Sequence, residues 1–281
     1  MKRRIAFTAL ALALLLLLGG CAPQAADPLL KNEATDVPGL SMDTPAATAD
    51  ESNAVQVNVT LYFRYLDEPM LAAESHTLTV LQDESVEYAI MKALVDGPSA
   101  GHSDLRRLLP AGTQVESVAS REGILFVTFN EDFLNDDVPD DWAEDEDWRE
   151  EAPVLRALTA QSVAASVTES YPYTGVQILV HKAGEVQTSL RLDNAYFLNG
   201  TAGLSDPVTR NEALLLTPHN TAAVILTAWQ QSDLERLYRY VAGSGKPSYE
   251  AFCEALAGAG ALQAYSAGSG SVAGDGTEAT V

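Results

Sequence analysis

Cysteine, histidine and positive charge are what this 281-residue chain has least of, and each shortage excludes something. Two cysteines, Cys21 and Cys253, can build neither a disulfide-stapled scaffold nor a thiolate-rich metal centre. Seventeen Lys+Arg stand against 39 Asp+Glu, a formal net charge of -22. Such a chain lacks the cations that neutralise phosphates, so nucleic acid is excluded as a partner, as is adsorption on anionic lipid headgroups. The four histidines are scattered, with no His-x-x-x-His or Glu-x-x-His pairing. There is also no Gly-x-Ser-x-Gly elbow and no Gly-x-x-x-x-Gly-Lys phosphate loop. The sequence thus carries no local sign of an enzyme, a cofactor or a metal site. What it does have is 47% hydrophobic residues, enough for at least one core.

The N-terminus places the chain. Lys2, Arg3 and Arg4 precede an uncharged Leu- and Ala-rich run over residues 5–18, too short for a comfortable membrane span and typical of a secretory signal. Leu18-Gly19-Gly20-Cys21 follows and resembles the bacterial lipobox. That resemblance implies cleavage of residues 1–20 and a diacylglycerol on the Cys21 sulfur, a palmitate-type anchor on the extracytoplasmic face of the cell membrane. Loss of the three basic residues would take the formal charge from -22 to -25. Residues 21–54, with Pro23, Pro28, Pro38 and Pro45 among Ala, Asp, Thr and Ser, show no periodicity and read as a disordered tether spanning roughly 30 Å.

The folded region begins with the clearest strand pattern in the chain. Val55, Val57, Val59, Leu61, Phe63 and Tyr65 alternate with Gln56, Asn58, Thr60 and Arg64. Residues 76–82 suggest a second strand. Val86, Ala89, Ile90, Ala93 and Leu94 lie on one helical face behind Asp83 or Ser85 as cap, and Asp96-Gly97-Pro98 stops the helix. Residues 114–119 and 124–129 read as a hairpin, the second strand being apolar on both faces and hence central. Pro153 opens a helix running to about Glu169, and Val176, Ile178 and Val180 alternate once more. This order predicts an α+β fold, a mixed sheet with helices packed on one face.

The ordered set Leu94-Val95-Asp96-Gly97-Pro98, Leu109-Pro110-Ala111-Gly112-Thr113-Gln114-Val115, Gly123-Ile124-Leu125-Phe126-Val127-Thr128-Phe129-Asn130 with Phe133, and Leu158-Thr159 before Val176-Gln177-Ile178-Leu179-Val180 resembles the GerMN domain of sporulation and spore-germination lipoproteins. Leu61-Tyr62-Phe63, with Glu74 downstream, is similar to that domain's start, and the likeness covers about residues 55–185. It implies a ring-building-type fold in a non-enzymatic, membrane-anchored protein of an envelope assembly. The family commonly carries an aspartate in the strand where this chain has Thr128 and Asn130.

Residues 131–151 hold twelve carboxylates and one basic residue, Arg149, with Trp142 and Trp148 interleaved. The simplest reading is a solvated acidic loop. A docking surface for a basic partner is the second, with Trp142 and Trp148 as anchors beside Asp140, Asp141 and Glu144. A Ca2+ site is the third, but the run lacks the spaced ligands and central glycine of an EF-hand loop. Further on, Val186, Thr188, Leu190 and Leu192 suggest another strand, residues 194–210 a loop, and Asn220 the cap of a helix reaching about Val241. A second helix after Pro247 carries Tyr249, Phe252, Cys253 and Leu256 on its apolar face, which would bury the Cys253 thiol.

The expected organisation is therefore a signal peptide over 1–20, a lipidated Cys21 and tether over 21–54, a GerMN-like domain over 55–192, a small helical C-terminal region over 193–265, and a disordered tail over 266–281. The function it points to is non-catalytic assembly of a cell-envelope or sporulation/germination complex, with a protein partner or a second copy. The alternative is a ligand-binding or signalling-accessory lipoprotein partnered with a sensor kinase.

Overall fold

A computed structural model of the chain describes residues 54–182, 189–241, 243, 245–273 and 278–281. Every described residue falls in one compact unit. The signal run, Cys21 and all but the last residue of the tether lie outside the described residues, as do Val186 and Thr188.

Strand β1 spans Val55–Tyr65 and pairs antiparallel with β2, Leu71–Val80. β2 starts five residues before the sequence pattern suggested, because Leu71 and Glu74 are buried by long-range partners that local alternation does not reveal. Helix α1, Val86–Asp96, is capped by Ser85, whose Oγ accepts the Tyr88 N–H at 3.1 Å. It ends at Gly97, whose φ of 91° lies in the left-handed region, where a Cβ would also crowd the Arg107 side chain. A two-residue strand β3, Leu105–Arg106, closes the other side of β1.

The second half builds a separate four-stranded sheet. β4, Val115–Arg121, and β5, Ile124–Asn130, form the expected hairpin. Helix α2, Glu146–Ser170, then carries the chain across to β6, Gly175–His181, which runs parallel to β5; β7, Leu190–Arg191, pairs antiparallel on β6. A parallel neighbour needs such a crossover. The α+β class holds, and the sheet β4-β5-β6-β7 is mixed, but β2-β1-β3 is a sheet of its own.

One core joins both sheets to both helices: Leu61 and Phe63 from β1, Ile90, Met91 and Leu94 from α1, Leu125, Val127 and Phe129 from β5, Val163 and Val167 from α2, and Ile178 from β6. Phe129 and Phe133 stack with ring centroids 4.9 Å apart. Helix α2 also does a strand's job. The Ser166 Oγ accepts the Tyr62 N–H at 2.9 Å and the Ser162 Oγ donates to the Tyr62 carbonyl at 2.6 Å, so backbone groups on the free side of β1 are satisfied by a helix. The small residues Ala160, Ser162, Ala164, Ala165 and Ser166 allow that close approach.

The C-terminal helices correct the expected pair. The first predicted helix is two: α3, Pro218–Gln230, and α4, Leu234–Arg239. Thr217, not Asn220, caps α3, while the Asn220 amide donates to the carbonyls of Glu212 and Leu215. Residues 231–233 are the polar run Gln-Ser-Asp, where Ser232 takes a φ of 61° and the Asp233 carboxylate caps α4, which breaks the helix. Helix α5, Tyr249–Ala257, has no fully buried residue, and Cys253 is half-buried rather than sealed in a core. In the tail β8, Ser271–Val272, pairs with β9, Ala279–Thr280, where composition alone suggested no structure.

Candidate functional site

Three places bring chemistry-bearing side chains together. The first is the acidic stretch. Its C-terminal part is helix rather than loop: α2 begins at Glu146, seven residues ahead of Pro153, because the Asp145 carboxylate accepts the N–H groups of Asp147 and Trp148 at 2.9 and 3.1 Å. Glu146 and Asp147 then sit in the first turn, where the helix dipole favours negative charge. Pro153 is interior, not the opening residue.

Four of the twelve carboxylates have structural partners. Asp136 forms a fork with Arg156 at 2.6 and 3.1 Å, and Arg156 in turn donates to the Tyr196 carbonyl and lies 5.1 Å above its ring. Glu151 pairs with Arg64, Asp132 accepts from Asn130 and Asn135, and Asp145 caps α2. Asp140, Asp141 and Glu144 are exposed in a turn in which the Glu144 N–H donates to the Asp141 carbonyl, and Trp142 and Trp148 are half-buried beside them. The five candidate residues are thus neighbours on one segment. Among the described residues no three His, Cys, Asp or Glu side chains are arranged to hold a metal ion.

Asn130, at the end of β5, has a bracing role. Its Oδ1 accepts the Gln114 N–H at 2.8 Å while its Nδ2 donates to the Gly112 carbonyl and to Asp132. The amide ties the 110–113 turn to the end of β5.

The second place was not legible in the sequence. Glu74 is only 4% exposed, yet its carboxylate accepts the Ser99 N–H at 3.2 Å and meets the His76 Nε2 at 2.9 Å and the His102 Nε2 at 3.7 Å. Burial alone would push this carboxyl up, but the hydrogen bonds from Ser99 and His76 outweigh it and hold the group below its ordinary value. Glu74 and His76 share a strand face at i and i+2, and residues 97–104 fold over them. Ser99 Oγ lies 3.5 Å from His76 Nε2, the same nitrogen that contacts Glu74. A Ser–His–carboxylate relay needs the two ring nitrogens to serve different partners, so this arrangement clamps a loop and does not activate the serine.

The third is a polar cavity of about 310 Å³ on the β1–β2 ladder, lined by Asn58, Thr60, Ser75 and Thr77 with Ser170 at the end of α2. Thr77 donates to the Asn58 side chain at 2.8 Å across the strands.

The C-terminal helices dock against the β1–β2 turn. Arg236 forks onto the buried Glu68 carboxylate at 2.9 and 3.1 Å through Nε, and Tyr65 packs against Tyr240 at 5.4 Å. Burial and the nearby Glu68 push the Tyr240 phenol well above its ordinary value. Among the described residues no helix is long and apolar enough to cross a membrane.

Residues 60–182 match the family model Germane, described as sporulation and spore germination. No curated protein matches the chain in sequence. Among solved structures, the tandem GerMN domains of the sporulation protein GerM from Bacillus subtilis are 19% identical, with 55% of this chain and 46% of that chain covered and a TM-score of 0.35. The first GerMN domain of the same protein is 22% identical, covering 55% and 98%, with a TM-score of 0.33. A candidate lipoprotein from Clostridium perfringens is 19% identical, covering 59% and 95%, with a TM-score of 0.31. The chain therefore spans under half of the tandem-domain structure.

Proposed function

We propose, from the premise that residues 60–182 form a Germane-family domain, that this chain is a lipid-anchored extracytoplasmic protein serving non-catalytically in the assembly of an envelope complex of sporulation or germination. The observation that carries this reading is the coupling of that domain to a lipobox-like Leu18-Gly19-Gly20-Cys21 through a proline-containing tether. In it, Cys21 carries the lipid, the tether sets the distance from the bilayer, and the exposed Asp140, Asp141 and Glu144 with Trp142 and Trp148 present a face to a basic partner. The Glu74 clamp, which keeps the serine idle, favours a binding role over a catalytic one.

The test is fractionation of cells making the full chain. Cys21→Ala should move the protein from the membrane fraction to the soluble one and abolish labelling by a palmitate analogue; retention in the membrane would overturn the anchor. Cross-linking and pull-down from intact envelopes should then recover a specific partner that is lost on Trp142→Ala/Trp148→Ala. The polar cavity favours a second reading, a ligand-binding or signalling accessory of a sensor kinase. A reproducible rise in melting temperature with a small polar ligand would support it over assembly.

A further inference from the structure

Strand β2 is the outer strand of its sheet, and over residues 73–79 its free side carries no proline, lysine or bulge to block pairing. It has ten residues, no proline, no lysine, and an unbroken register with β1. The hydrogen-bond phase follows from one contact. Tyr65 N–H donates to the Met70 carbonyl at 3.0 Å, so by alternation the odd residues of β1 face β2 and the odd residues of β2 face outward. The Tyr62 contacts to Ser162 and Ser166 confirm the same phase on the other side of β1. Ala73, Ser75, Thr77 and Thr79 consequently point their N–H and C=O groups away from the sheet, where they find no partner among the described residues, and all four side chains are exposed. At the next outward position, Leu71, the chain already adds a strand to this side: the Leu216 N–H donates to the Leu71 carbonyl at 2.8 Å, and Leu71 and Leu215 form a parallel bridge. The edge therefore accepts backbone, and four rungs remain open beyond that point.

We propose that the occupant of these rungs is β2 of a second copy, added antiparallel about a two-fold axis at His76. Two observations favour a copy over an unrelated strand. The first is self-complementarity. The two-fold sets Ala73 opposite Thr79 and Ser75 opposite Thr77, small uncharged side chains throughout, and continues the polar ladder into the partner. The two His76 rings meet on the other face, each held by its own Glu74. The second is charge. Two chains of formal net charge -22 repel wherever carboxylates face each other, whereas β2 exposes none, its single acid Glu74 being 4% exposed. A contact of this size is weak in solution and gains from confinement of both copies to one membrane, so the inference rests on the assembly reading for its setting but not for its geometry.

The experiment uses the full-length chain with Cys21→Ala and Cys253→Ser, in which no native thiol remains and anchoring plays no part. Ala73→Cys/Thr79→Cys on this background should give a disulfide-linked dimer on mild oxidation, since the two positions are about 20 Å apart within one strand but opposed across the axis. Arg121→Cys, exposed on the other sheet, is the control and should give at least tenfold less. Ser75→Pro removes an outward N–H that β1 does not use, and Ser75→Lys puts a charge on the edge; each should lower the dimer yield at least tenfold while leaving the melting temperature in place. A dimer yield no greater than the control, or one unmoved by both edge variants, overturns the proposal. So does capture of a different protein at these positions. A failed Cys21→Ala fractionation would overturn the anchor and leave this result standing.

Discussion

The α+β domain, whose residues 60–182 match the Germane family model, and the C-terminal helices are built from similar residues and held together in different ways. The domain buries Phe63, Phe129, Phe133, Leu61, Ile90 and Leu94 almost completely. The helices from residue 218 onward bury only two hydrophobic residues among those described, Ala228 and Leu237, and rely on Arg236–Glu68, on Tyr65 against Tyr240, and on Tyr238 against Tyr249 and Phe252. The lesson is that an amphipathic pattern announces a helix without saying how well its stripe will be covered. Stability should follow coverage.

The largest break in this comparison comes from truncating one aromatic residue in each region. Phe129→Ala should cost about 3–5 kcal/mol in urea unfolding of the domain, because it opens a cavity against Phe133 at the centre of the core. Phe252→Ala, half-buried on α5, should cost about 1 kcal/mol or less. Equal losses would show that the two regions unfold as one unit.

A smaller effect separates the regions without touching either core. Arg236→Ala strands the Glu68 carboxylate, 4% exposed, and should cost about 2–3 kcal/mol. Hydrogen exchange should speed up in α3 and α4 while β5 and β6 stay protected. Unchanged exchange in those helices would mean that the guanidinium is not what holds them.

The smallest effect is one of pH and is confined to the domain. Because the folded carboxyl of Glu74 lies below its ordinary value of 4.5, it contributes stability that is fully present above about pH 4.5 and is lost as pH falls through the folded value. The Glu74→Gln chain should accordingly be less stable than the parent at neutral pH and show a shallower loss on acidification below pH 4.5. Acid titration of both chains by circular dichroism measures the difference, and parallel curves would show that Glu74 plays no part in it.

How much of this was legible depended on how local the cause was. β1 follows from alternation, because one face of it meets the core, and β5 from a short run that is apolar on both faces. The start of α2 was misplaced because Pro153 is a familiar opening residue, while the operative signal was Asp145 followed by two acids in a first turn. Thr217-Pro218 was the corresponding signal for α3, a cap with proline in the first turn. The split between α3 and α4 falls at Gln231-Ser232-Asp233, where Asp233 is the cap signal and the positive φ of Ser232 is not registered by periodicity. Of the site, the five acidic and aromatic residues were visible as a run in the sequence. The Glu74 clamp was not, since it joins β2 to a loop 25 residues away through one buried carboxylate.

The two hydroxyls of α2 have a consequence for the whole architecture. Ser162 and Ser166 lie one turn apart and reach the two backbone groups of a single residue, Tyr62. Sliding the helix by one residue would present Val163 and Val167 instead and leave both groups of Tyr62 dry and unmatched. The pair therefore works as a keyway: it indexes α2 along β1 and, because α2 leads directly into β6, it sets how the four-stranded sheet is aligned on the three-stranded one.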